Sequence, residues 1–172
     1  MKMKTVSPEA LVTNPFADIG GRWMLISAAR DGKFNTMTAS WGGFGVFWNK
    51  PSVIAVVRPT RHTYEFMEKA DTFTLSFLPE RHRAALNYCG SHSGREVDKI
   101  KATGLTPVWD NADVWFEEAD MVLRCRKLYV QDLNPAGFTE AELDSRWYPE
   151  KDYHRFYIAE IVTAMQARDE TD

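Results

Sequence analysis

Two short segments hold the residue types best suited to grip a phosphate. The first is Arg58-Pro59-Thr60-Arg61-His62-Thr63-Tyr64, where two arginines and two threonines cluster where a strand pattern meets a helical one. A helix N-terminus offers unpaired N–H groups and a favourable dipole to an anion, and guanidinium adds charge-assisted, two-pronged hydrogen bonds. The second is Cys89-Gly90-Ser91-His92-Ser93-Gly94-Arg95-Glu96-Val97-Asp98-Lys99, in which small residues and hydroxyls lead into a helical pattern bearing Arg95 and Lys99. That chemistry suits an anion or the polar edge of a ring. A plainer reading stays open for both. Thr60 caps a helix with both arginines in water, and Ser93-Gly94-Arg95-Glu96 is an ordinary capping box.

A third segment runs from Phe34 to Trp41 and reads as a strand. Phe34, Thr36, Thr38 and Ser40 fall on one face; Asn35, Met37, Ala39 and Trp41 fall on the other. The row of small hydroxyls suits a polar ligand better than a dry core. Gly42-Gly43-Phe44-Gly45 follows, without the spacing or the downstream helix of a dinucleotide fingerprint. A glycine bend at a barrel corner explains it better. His62, His82, His92 and His154 show no metal-ligand spacing, so no metal site is expected. No nucleophile-and-base arrangement stands out, Cys89 reads as a small packed side chain, and no catalytic residue is assigned.

The elements that must position these segments are mostly strands. Trp23 to Ala29 is an apolar run, and Asp31-Gly32 is the preferred dipeptide for a tight hairpin turn before the Phe34–Trp41 return strand. Asn49-Lys50-Pro51-Ser52 reads as a turn. Ser52–Val57 is a β-branched run fit for a central strand. Phe73–Phe77, a long stretch from Val114 to Val130, and Phe156–Met165 complete the set. Short helices are predicted from Thr60 to Lys69, from Pro79 to about Tyr88, from Ser93 to a stop at Gly104, and near Thr139-Glu140-Ala141-Glu142. Many strands without regular β-α-β alternation give a mainly β barrel with several short inserted helices.

The length of 172 residues fits a single domain spanning residues 1–172. Residues 1–20 read as a lead-in and 166–172 as a flexible tail. The apolar fraction of 44% supports a real core, and the aromatic share of 13% suits both a core and a planar ligand. A net charge of −3 does not attract nucleic acid. The longest apolar run, Val53–Val57, is far below membrane-spanning length. The first residues show no apolar stretch after their lysines, and two cysteines build no disulfide framework. The expected location is the cytoplasm.

Taken in order, the segments Asn35-Thr36-Met37-Thr38-Ala39-Ser40-Trp41-Gly42, Asn49-Lys50-Pro51, Arg58 to Tyr64 and Gly90 to Lys99 resemble the flavin reductase-like family, which includes the flavoredoxins. The resemblance covers Gly21 to Gly104 well and continues more loosely to Met165. It implies an FMN-binding split β-barrel, usually a homodimer with flavin sites near the subunit interface. Thr36, Met37, Thr38, Ala39, Ser40 and Trp41 would edge the isoalloxazine ring. Arg58, Thr60 and Arg61 would be candidates for the phosphate, and Ser91, Ser93 and Lys99 would approach from the second segment. The implied activity is an NAD(P)H-dependent flavin reductase, in which NADH or NADPH passes a hydride to flavin N5. The alternative is a flavoredoxin-like carrier that keeps its FMN and takes electrons from a protein redox partner. A third reading is a flavin-binding protein with no turnover of its own.

Overall fold

In the computed structural model, residues 2–168 are described. The strands are β1 (Lys2–Val6), β2 (Met24–Arg30), β3 (Lys33–Ala39), β4 (Gly42–Phe47), β5 (Lys50–Val57), β6 (Thr72–Phe77), β7 (Pro107–Asp110), β8 (Asp113–Phe116), β9 (Met121–Asp132) and β10 (Arg155–Arg168). The helices are α1 (His62–Lys69), α2 (Arg83–Ser91), α3 (Lys99–Thr103) and α4 (Ala141–Trp147). Eight strands form one antiparallel sheet in the order β3-β2-β6-β9-β10-β5-β4, with β1 also paired to β10; β7 and β8 form a separate hairpin. This is the split barrel.

Its curl comes largely from β10. This 14-residue strand pairs with β5 through its first half, with β1 through its second, and with β9 along most of its length. Register shifts between Ile158 and Ala159 and between Ile161 and Thr163 interrupt the β9 ladder. Such bulges bend a strand and increase its twist, which lets one strand serve both halves of the barrel.

β2 shows why its sequence is continuously apolar rather than alternating. Met24, Ile26 and Ala28 pack into the barrel interior with Val53, Ala55, Leu75, Phe77 and Tyr157. Leu25 faces a second core with Leu78, Leu86, Leu105 and Phe116, beneath α2 and the loops. A strand covered on both faces loses its period of two. The Asp31-Gly32 turn forms as expected, with positive φ of 54° and 72°, the backbone that a primed hairpin turn requires.

Four expectations need correction. The Val114–Val130 stretch is two strands, because Glu117–Asp120 turns, with Ala119 N–H donating to the Phe116 carbonyl and Asp120 N–H to Phe77. The third helix begins at Lys99, not Ser93: the Asp98 carboxylate accepts from the N–H of Ile100 and Lys101, while Ser93 to Val97 form a turn. A charged carboxylate with two donors outcompetes the serine as a cap. The lead-in contains β1 and a π-helical turn over Phe16–Arg22. The tail assignment fails for Gln166–Arg168, which belong to β10 and pair with β1; residues 169–172 lie outside the described residues. Among the described residues no helix is long and apolar enough to cross a membrane.

Candidate functional site

Two adjoining cavities open where the ends of β3 and β5 meet α1 and the α2–α3 loop. The larger, about 390 Å³, is lined by Met37 to Trp41, Val56, Arg58, Arg61, Trp147 and His154. The smaller, about 170 Å³, is lined by Asn35, Thr60 to Thr63, Ser91 to Gly94 and Lys99. Arg61 walls both. The two anion-friendly segments of the sequence, thirty or so residues apart, therefore converge on one chamber.

The electrostatics of that chamber are unusual. Lys99 is only 6% exposed. Its Nζ donates to the carbonyls of Thr36 (2.8 Å) and Cys89 (2.9 Å). Arg61 donates to Gly90 (2.8 Å) and, more weakly, to the same Cys89 carbonyl (3.4 Å). Neither cation has a carboxylate partner among the described residues. Burial, with Arg61 nearby, pushes the Lys99 ammonium down to about 8, and burial lowers Arg61 as well. A buried charge without a counter-charge is costly, and here two share a carbonyl. A bound anion offsets that cost. The hydroxyl-bearing residues Thr60, Thr63, Ser91 and Ser93 and the buried Asn35 complete a polar wall.

The fit depends on close approach. A Cβ on Gly94 would lie 2.1 Å from Asn35 Oδ1. Asn35 is itself held, donating to Thr63 Oγ1 at 2.7 Å. Only glycine lets the loop close over this corner.

One side of the larger cavity is aromatic. Trp41 meets Trp147 edge-on at 5.0 Å and lies 5.2 Å from the His154 ring. The imidazole Nδ1 of His154 is 2.8 Å from the Tyr148 hydroxyl. Burial, with Arg58 adding to it, pushes His154 down to about 4, so its ring is neutral near pH 7.

Not every expected residue serves the cavities with its side chain. Thr36 is buried; its hydroxyl accepts from Ser27 and donates to the Ile26 carbonyl. Thr38 donates to the Leu86 carbonyl at 2.5 Å. Those hydroxyls stitch β3 to β2 and α2, which corrects the expectation of a ligand-facing hydroxyl row. Arg58 lines the larger cavity but is pinned: it pairs with Asp152 at 2.7 Å, donates to the Trp147 carbonyl at 2.8 Å and lies over the Tyr148 ring at 4.8 Å. It does not reach the smaller chamber. Thr60 does line it, although α1 starts two residues later than expected, with Arg61 at its N-cap position. Ser91 donates back to the Asn87 carbonyl, and Ser93 accepts from Arg95 N–H. Sequence reasoning did not assign Asn35, His62, Thr63, His92 and Gly94 to the chamber, or Val56, Trp147 and His154 to the cavity.

An antiparallel split barrel with an aromatic cleft beside two cations that have no carboxylate partner among the described residues defines the class. The chain belongs to the flavin reductase like domain family, whose sequence model matches residues 16–172. Solved structures share the fold. The FMN-binding domain of a flavin reductases-like enzyme from Shewanella baltica superposes with a TM-score of 0.70 at 20% identity, covering 96% of this chain and 77% of that one. A flavoredoxin from Methanosarcina acetivorans gives 0.65 at 22% identity, covering 87% and 69%. An NADH:FAD oxidoreductase from Streptomyces globisporus gives 0.64 at 16% identity, covering 84% and 75%. Curated proteins yield no match.

Proposed function

We propose that this chain binds FMN and acts as an NAD(P)H-dependent flavin oxidoreductase. The observation that carries the reading is the pairing of the half-buried Arg61 with the buried Lys99, which have no carboxylate partner among the described residues and sit beside an aromatic cleft. Arg61 and Lys99 would hold the phosphate, with Thr60, Ser91 and Ser93 lining its chamber. Met37, Ala39, the Ser40 hydroxyl and Trp41 would edge the ring, with Trp147 and His154 closing the far side. When bound, the isoalloxazine supplies the redox chemistry that no side chain here can supply. The protein would bind and orient it.

Lys99 makes this testable by pH. Its ammonium loses its proton as pH rises through about 8. A phosphate monoester stays dianionic above roughly pH 6. Affinity for FMN is therefore expected to hold up to about pH 8 and to fall by about five- to tenfold by pH 9, since one proton is linked to binding. Fluorescence titration at the two pH values checks this. In Lys99→Met the affinity is expected to be weaker at pH 7 and flat to pH 9; a wild-type curve that is equally flat would contradict the assignment.

A second reading, a flavoredoxin-like carrier with retained FMN and a protein redox partner, draws on one observation. Arg58 pins Trp147, Tyr148 and Asp152, and so holds the segment that walls one side of the cleft; a wall held in place favours a retained flavin. A visible spectrum of the purified protein, repeated anaerobically with NADH and NADPH, separates the two. Rapid oxidation of either nucleotide with added free flavin is the expected result. Tightly held FMN that only a protein donor reduces would favour the carrier. Protein that binds no FMN in a titration would contradict both.

A further inference from the structure

His154, on the wall of the larger cavity, forms a hydrogen-bonded pair with Tyr148 behind it. Tyr148 is 3% exposed. Its hydroxyl has one partner among the described residues, Nδ1 of His154 at 2.8 Å. Nε2 of His154 makes no hydrogen bond among the described residues, yet it is not among the enclosed unpartnered atoms, and His154 lines the larger cavity. Those facts fix the direction of the bond. If Nδ1 carried the ring proton, it would donate to the phenol oxygen, and the buried O–H proton would have no acceptor. Buried donors without partners are rare and costly. If Tyr148 donates to Nδ1, the ring proton sits on Nε2, where the cavity can satisfy it. Protonating both nitrogens would again orphan the phenol proton.

We propose that Tyr148 is a positioning residue that holds His154 as a neutral Nε2–H donor facing the larger cavity, where it meets an acceptor on the ring of a bound ligand. The ligand part rests on the flavin reading above; the tautomer does not. Arg58 stacks on the Tyr148 ring and pairs with Asp152, so the phenol is fixed from behind. Trp41 packs on the imidazole and Trp147 on Trp41. The charged or titratable groups facing His154 are Arg58, Asp152 and the Tyr148 phenol, with Arg61 across the cleft. The depressed His154 titration agrees with a ring held neutral by its surroundings.

The test uses the full chain with ¹⁵N-labelled histidine, the His154 signals being assigned from their loss in His154→Gln. Long-range ¹H–¹⁵N spectra of the flavin-free protein should show the Nε2–H tautomer alone, unchanged from pH 8 down to pH 5.5. Tyr148→Phe keeps the ring under Arg58 and should give a mixture of tautomers. It should also weaken FMN binding by about three- to tenfold, on the scale of one neutral hydrogen bond. In the His154→Gln background the same Tyr148→Phe change should cost less than about twofold, because no imidazole remains to orient. A wild-type Nδ1–H tautomer, an unchanged tautomer in Tyr148→Phe, or an equal affinity loss in both backgrounds would overturn the proposal. Absence of any FMN binding by the wild type would overturn the flavin reading and the ligand role of His154, while the spectra would still decide what Tyr148 does.

Discussion

Arg61→Met is expected to weaken FMN binding by about 10- to 100-fold, while leaving the affinity for riboflavin within about threefold of the wild type. The range follows from a hydrogen-bonded charge on phosphate being worth about 1.5–3 kcal/mol, with about 1.4 kcal/mol per tenfold in affinity. Arg61 walls the smaller chamber and has only carbonyl partners there. Its donors are committed to no opposing charge, so a phosphate gains from the whole of its positive field. Arg58→Met supplies the contrast. Arg58 is neutralised by Asp152 and holds the Trp147 segment. Its loss should reduce FMN and riboflavin binding by the same factor, because it loosens the cover over the ring rather than the seat of the phosphate. Isothermal titration of both ligands against both variants checks this. Equal FMN losses with no riboflavin loss in Arg58→Met would reverse the roles assigned to the two arginines.

The second large effect concerns stability. Gly42→Ala is expected to destabilise the fold by about 2–4 kcal/mol, the range of severe backbone and steric substitutions. Gly42 has a φ of 149°, and a Cβ there would sit 2.5 Å from the Ile54 carbonyl oxygen. Both partners are backbone, locked in the pairing of β4 with β5, so neither can give way as a flexible side chain would. For a chain of this size the melting temperature should fall by roughly 5–15 °C. Gly45→Ala is the control: nothing lies within 4 Å of its added Cβ, and its melting temperature should stay within about 2 °C of the wild type, as for ordinary surface changes. Thermal denaturation followed by circular dichroism measures both. A near-neutral Gly42→Ala would show that β4 can shift away from β5, and with it Trp41, the residue that joins β4 to the cleft.

The parts of this fold that were legible in the sequence are those set by neighbours along the chain. The Asp31-Gly32 turn follows from two positive φ values that this dipeptide tolerates. The Gly104 stop is a left-handed C-cap, as glycine at that position suggests. The Gly42-Gly43-Phe44-Gly45 run, expected as a bend, is strand β4 paired with β5, and only Gly42, at its start, has a positive φ. The convergence of Arg61 with Lys99 was foreshadowed by the composition of both segments, although only tertiary packing puts them on one carbonyl.

What was not legible depends on partners far along the chain. Arg58 and Arg61 look equivalent in sequence. They diverge because Asp152, 94 residues away, captures Arg58. The alternation of Thr36 and Thr38 gave their face but not what covers it; Ile26, Ser27 and Leu86 take both hydroxyls. His154 and Trp147 enter the cleft from a distant part of the chain, and no local pattern decides whether the segment from Asp132 to His154, with its Trp147-Tyr148-Pro149 run, covers the site or pads the surface. Asn35 carried a signal that was passed over. It is a polar residue opening the segment that resembles the family, and it is buried at 8% exposure in a strand, a place where an amide needs fixed partners.

The central claim is that Arg61 and Lys99 form the seat of a phosphate attached to a planar ring. The most direct test compares the dissociation constants of FMN and riboflavin for the unmodified, flavin-free chain in one titration series at pH 7. Two cations shielded from water and without carboxylate partners among the described residues should make FMN bind at least about 100-fold more tightly than riboflavin. Equal affinities for the two flavins, or no binding of either, would contradict it.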